Sequence, residues 1–164
     1  MIVVSDTTPL ISLLKIDRIE LLEKLFGQVL IPQAVFDELT VDERFKLEAD
    51  QIRRRQFIIV KTVQNPKSAN ILKRATGLDQ GESEAIILTD ELNADILLMD
   101  EAKGRAVSFQ MGFKIMGTIG VLMAAYEENE LTAEEVRACV KGLQSAGRHI
   151  SQRHYQMLLD KLGD

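Results

Sequence analysis

Asp6 and Asp100 each close an apolar run: Ile2-Val3-Val4-Ser5 leads to the first, and Asp95-Ile96-Leu97-Leu98-Met99 to the second. Such runs read as short buried strands, and in open parallel sheets ligands bind beyond the carboxyl ends of the strands. The pattern therefore predicts two aspartates on one functional edge. Glutamates on helices add to them. Over Gln33 to Leu39 the apolar face is set by Ala34, Val35, Phe36 and Leu39. At about 100° per residue, Glu38 lies roughly 70° from the centre of that face and Asp37 nearly opposite. From Glu82 to Leu92 the buried face is set by Ala85, Leu88 and Leu92, and Glu82 and Glu84 flank it on opposite sides. Carboxylates gathered on one edge repel, and stay ionised only beside a cation or a basic group. Oxygen ligands without His or Cys favour Mg²⁺ or Mn²⁺ over Zn²⁺. An ion of that kind polarises a phosphate and activates water, so the chemistry indicated is phosphodiester hydrolysis. Thr118, after the strand ending at Met116, is placed to touch a metal-bound water or a phosphate, and Lys103 and Arg105 to meet a passing phosphate backbone.

Plainer roles compete with these. Asp6 and Asp100 both suit helix N-caps, and Glu82 and Glu84 favour the positive end of their own helix. Gly81-Glu82-Ser83-Glu84-Ala85 brushes against a serine-hydrolase elbow but lacks a preceding strand and the final glycine. Gly117-Thr118-Ile119-Gly120 has neither dinucleotide spacing nor a P-loop lysine. His149 and His154 are not on one helical face, and Arg53-Arg54-Arg55 reads as a solvated helix end.

The elements that must position these groups alternate. Strands are expected at 2–4, 28–31, 57–60, 95–99 and 113–116. Helices are expected after Thr8-Pro9, over 19–26, 32–39, 42–56, 67–75, 82–92, 101–111, 118–128, 132–145 and 151–162, with 77–81 as a loop. Thr132 with Glu135 reads as a capping box. Alternation of this kind predicts an α/β fold, a mostly parallel sheet with helices on both faces. Residues 1–164 read as a single domain with a helical tail at about 132–162.

The chain has 164 residues, 46% hydrophobic and 27% charged, an ordinary globular composition that excludes a disordered tail or a small disulfide scaffold. Its net charge of −5 excludes a global basic field. Cys139 is the one cysteine, which excludes an intrachain disulfide and fits a reducing compartment. The N-terminus meets Asp6 without a basic leader, and Ile119 to Tyr126 is too short to span a bilayer, so a cytoplasmic location is expected.

Five motifs, in order, carry a resemblance. They are Val3-Val4-Ser5-Asp6-Thr7-Thr8-Pro9-Leu10, Val29-Leu30-Ile31-Pro32 leading to Glu38, Gly81-Glu82-Ser83-Glu84-Ala85-Ile86, Leu97-Leu98-Met99-Asp100-Glu101-Ala102-Lys103-Gly104 and Met116-Gly117-Thr118-Ile119-Gly120-Val121-Leu122. With Ile150-Ser151 and Leu158-Leu159 in the tail, the set resembles a prokaryotic branch of the PIN-domain superfamily related to toxin–antitoxin ribonucleases, over about residues 2–162. The resemblance implies a three-layer α/β/α sandwich and a metal-dependent nuclease, often a ribonuclease. It also implies a homodimer in many relatives, and an antitoxin partner where the protein is a toxin. The family's first, second and fourth acids map to Asp6, Glu38 and Asp100. The third maps to Glu84, with Glu82 as the rival. Glutamate there, where aspartate is frequent, adds a methylene of reach. Lys103 stands near the place of a further family acid.

The expected activity is thus a Mg²⁺- or Mn²⁺-dependent endoribonuclease. Asp6, Glu38, Glu84 and Asp100 would hold the ions, Thr7 or Thr118 would orient water or phosphate, and Lys103 and Arg105 would steer RNA. The alternatives are a catalytically weak PIN-like module that binds RNA or protein, and a metal-dependent phosphatase of small molecules.

Overall fold

A computed structural model describes residues 1–163; Asp164 lies outside the described residues. Five short strands form one parallel sheet: β1 (Val3–Ser5), β2 (Val29–Ile31), β3 (Ile58–Val60), β4 (Ile96–Leu98) and β5 (Ile115–Met116), in the order β3-β2-β1-β4-β5. The chain leaves β1 for β2 and β3 on one side, then returns to β4 and β5 on the other. The order therefore reverses between β1 and β4, and a crevice opens there beyond the carboxyl ends of both strands. Asp6 follows β1, and Asp100 stands two residues beyond β4. The Asp6 N–H donates to the Leu98 carbonyl at 3.0 Å and fixes the first acid to the second strand.

The strands are short and apolar because both faces are covered. Side chains alternate between two cores. Val3, Ile96 and Leu98 join one cluster, and Val4, Leu97 and Met99 the other. The first cluster lies under α1 (Thr7–Lys15), α2 (Glu20–Phe26), α3 (Gln33–Val41), α4 (Lys46–Arg54), α8 (Thr118–Glu127), α9 (Ala133–Ser145) and α10 (Gln152–Lys161). The second lies under α5 (Pro66–Thr76), α6 (Gln80–Leu92) and α7 (Ala102–Gln110). The result is the α/β/α sandwich. The tail helices contribute Val136, Val140, Leu143, Leu158 and Leu162 to the first core, and α9 opens with the expected capping box of Thr132 and Glu135.

Several boundaries shift by a residue or two, α1 among them, which opens at Thr7 with Asp6 as its N-cap rather than at Thr8-Pro9, and three departures have a visible cause. The helix expected over 42–56 is broken, because the Asp42 side chain accepts from the Arg44 N–H at 3.0 Å and opens a 3-10 turn, Glu43–Phe45, before α4. β5 is shorter than expected because the Phe113 N–H is spent closing α7, donating to the Ser108 carbonyl at 3.1 Å. Helix α6 begins at Gln80, because the Asp79 side chain accepts from the Glu82 N–H at 2.7 Å and caps it.

Ile86 anchors α6 in the second core and is wholly buried. Ile86→Ala should cost about 2–5 kcal/mol. Urea unfolding would read it as a lowered midpoint at unchanged slope.

Candidate active site

Four segments converge on the crevice between β1 and β4. Asp6 is the floor: its residue is 3% exposed at the N-cap of α1, and its side chain makes no cap bond. Glu38 comes from α3 on the exposed rim, where its Oε2 accepts from the Thr7 hydroxyl at 2.7 Å. Asp79 and Glu82 come from the start of α6. Asp100 is half-buried; its Oδ1 accepts from the Thr118 N–H at 2.7 Å and its Oδ2 from the Thr118 hydroxyl at 2.6 Å. Asp100 therefore serves the start of α8, whereas α7 has Glu101 at its N-cap and no side-chain cap.

Two glycines let these acids approach. A Cβ on Gly81 would lie 3.1 Å from Glu38 Oε2 and 3.6 Å from Asp79 Oδ1, so the two rim acids flank one bare stretch of backbone. A Cβ on Gly117 would lie 2.8 Å from Asp100 Oδ1 and 3.1 Å from a terminal nitrogen of Arg105.

The charges are concentrated and unrelieved. Asp6 is pushed up to about 7, chiefly by burial. The Thr7 N–H opposes that shift, and the nearby charges of Asp79, Glu38 and Asp100 add to it. Glu82 is pushed up to about 8, by burial first, then by a hydrogen bond with the Asp79 carboxyl and by the charges of Asp79 and Asp6. Among the described residues, no ion pair includes any of these five acids.

Of the acids singled out in the sequence, Asp6, Glu38, Asp100 and Glu82 share this neighbourhood. Glu84 turns elsewhere: its Oε1 accepts from the Ala34 N–H at 3.1 Å, and its Oε2 from Gln80 Nε2 at 2.8 Å. It serves the N-terminus of α3, whose own N-cap is Pro32 and supplies no side-chain acceptor. Thr7 and Thr118 donate their hydroxyls to Glu38 and Asp100 rather than standing free. Arg105 donates to the Met99 carbonyl at 2.9 Å beside Asp100. The Lys103 ammonium reaches across to Gly77, 2.8 Å from where a Cβ would stand there. Asp79 is the acid that the sequence reading passed over as loop. The spacing Asp79-x-x-Glu82 ahead of an apolar helix was its available signal.

Other motifs take structural roles. Ser83 is fully buried with its hydroxyl unpartnered, closed to any substrate. Arg53 pairs with Asp50 and stacks on Phe36, and Arg55 pairs with Glu20.

A model of the family DUF3368, described as a PIN domain, matches residues 2–164. The chain belongs to the PIN-domain family. A search of curated proteins finds no match. PIN domains are generally nucleases and typically use divalent metal ions. The donor chemistry of this PIN domain fits such an ion: five carboxylates, no soft ligand, and repulsion that a cation would relieve. Among the described residues, no three acids, histidines or cysteines are grouped closely enough to hold an ion as they stand. Glu38 and Asp100 are engaged by threonines, so binding requires these side chains to turn. No helix among the described residues is long and apolar enough to cross a membrane.

The raised acids set a pH dependence. Folded Asp6 and Glu82 keep protons up to about 7 and about 8, whereas unfolded carboxyls lose theirs at about 4. Folding therefore takes up protons in that window, and stability falls as pH rises through it. In chelator, the melting temperature should be lower at pH 8 than at pH 5. Mn²⁺ should raise it more at pH 8, where fewer protons compete; an ion at 100 times its Kd adds about 2.7 kcal/mol of stability. Asp6→Asn should flatten both responses. Equal metal responses at the two pH values would contradict the coupling.

Proposed function

We propose that this PIN-domain protein is a divalent-metal-dependent endoribonuclease. The observation that supports it is the convergence of Asp6, Glu38, Asp79, Glu82 and Asp100 at the switch point of the sheet, with no pairing cation among the described residues. In this reading Asp6, Glu38, Glu82 and Asp100 hold the metal, Glu82 taking the place that Glu84 holds by resemblance, and Asp79 positions Glu82. A bound Mg²⁺ or Mn²⁺ would neutralise phosphodiester charge and acidify water. Asp6 supplies charge from a dry floor, where each unit acts more strongly than in solvent. It and Glu82 give up their protons as the ion enters. Thr7 and Thr118 set the rotamers of Glu38 and Asp100. Arg105, with one N–H spent on the Met99 carbonyl, has others to offer a phosphodiester. The narrower readings, a toxin with a cognate antitoxin and a homodimer, rest on the family resemblance.

A second reading is favoured by one observation: the threonine hydroxyls engage two of the acids, and no three ligands are preassembled. That suits a PIN-like module that binds RNA without cutting it.

Cleavage of a mixed pool of structured and single-stranded RNA separates the readings. The parent should cut with Mn²⁺ or Mg²⁺ and not in chelator. Asp6→Asn should cut at least about 100-fold more slowly, the scale of losing one preorganised electrostatic group. Its neutral side chain resembles the protonated parent, so a folding defect would not account for the loss. Equal cutting by parent and variant would sink the nuclease assignment. RNA retained in chelator by both proteins, without cutting under either ion, would select the binding module.

A further inference from the structure

A groove of about 990 Å³ runs from Asp100 along the start of α8 to the segment joining α9 and α10. Its volume lies near the top of the range of about 300–1,000 Å³ found for small-molecule sites, more than a mononucleotide fills. Its lining carries both signs of charge. The acids Asp100 and Glu101 stand at one end, and the opposite wall carries Arg148, His149 and His154 with no acid. Met116, Met123 and Met157 also line it. This stands out in a chain whose net charge is −5.

Arg148 is the telling residue. Its backbone N–H donates to the Leu143 carbonyl at 2.9 Å, which fixes the turn after α9. Its Nε is buried without a hydrogen-bond partner, and among the described residues no ion pair includes it. That Nε is closed to a ligand, and the donors of this half-buried side chain that line the groove are its terminal nitrogens, which an anionic oxygen meets with planar, directional bonds. Arg105, at the Asp100 end, retains donors beyond the one on the Met99 carbonyl. Two arginines lining a groove that reaches Asp100 of the acid cluster complement a chain of phosphates more than a single phosphomonoester. The methionines of the lining are polarizable surfaces that adapt to bases of differing shape.

We infer that the groove between α8 and the α9–α10 turn holds the single-stranded RNA flanking the scissile phosphate, with Arg148 on a phosphate beyond it. This rests on the nuclease reading and deepens it, making the substrate a polymer and the helical tail half of its binding site. A groove for a protein segment would need no tie to Asp100 and no unmatched guanidinium.

The test measures anisotropy of a fluorescein-labelled single-stranded oligouridylate of twelve residues, using the full chain, in chelator and in Ca²⁺. Arg148→Ala and Met157→Glu should each weaken binding at least about fivefold. Met157 is 47% exposed, so its charged replacement tests the groove without a buried substitution. Arg54→Ala, on the exposed end of α4, should change it less than twofold. The parent's affinity should fall with salt, and Arg148→Ala should lower the slope by about one, as expected for one lost phosphate contact. Parent protein that binds no oligouridylate in either condition overturns the inference and leaves the groove to a protein partner. Both groove variants binding like Arg54→Ala also overturns it. Cleavage of the same oligouridylate in Mn²⁺ is read in parallel. Binding that depends on Arg148 without any cutting upholds the groove while the nuclease reading fails.

Discussion

Mutual repulsion among carboxylates around a buried aspartate is the constraint that the rest of this molecule accommodates. Asp6 is nearly sealed from water, and three acids from other segments raise its affinity for a proton. Nothing in the chain answers that charge with a Lys or Arg at ion-pair distance among the described residues. The fold tolerates it because the sheet is anchored elsewhere, by two apolar layers that need no polar group to close. Protons on Asp6 and Glu82 provide the local relief.

The strand order explains why the repulsion falls where it does. Acids beyond two adjacent strands meet because the chain reverses its direction of travel across the sheet between them. Helix starts do the rest. Thr7 opens α1 and holds Glu38, Thr118 opens α8 and holds Asp100, and Asp79 opens α6 beside Glu82. Each positioning contact is made at the first turn of a helix, where unpaired backbone N–H groups favour negative charge.

Much of this was legible in the residues. The apolar runs before Asp6 and Asp100 mark buried parallel strands, so both acids could be placed at strand ends without knowing the strand order. The phase of α3 put Glu38 at the margin of its buried face, and the capping box of α9 was readable from Thr132 and Glu135. The choice between Glu82 and Glu84 was not readable, because helix phase sets both at margins. What separates them is tertiary: Glu84 meets the bare N-terminus of α3, and Glu82 meets Asp79 and Asp6. Asp79 was obscured by the neighbouring glycines 77 and 81, which read as loop although the second lies inside the helix. The groove was invisible for a different reason. Its two walls come from α8 and from the turn after α9, and no local pattern records how a tail folds back.

The two threonine contacts also bear on disorder. A glutamate on a helix rim and an aspartate beyond a strand ordinarily sample several rotamers, and a ligand must freeze them on arrival. Here the hydroxyls of Thr7 and Thr118 have already frozen Glu38 and Asp100 during folding, at sites fixed by the first turns of α1 and α8. Rotamer freedom of these two acids is thus lost during folding to the threonine contacts, before any cation or substrate appears. An incoming ion must therefore draw each carboxylate out of a hydrogen-bonded rotamer, Asp100 from two bonds to Thr118 and Glu38 from one to Thr7.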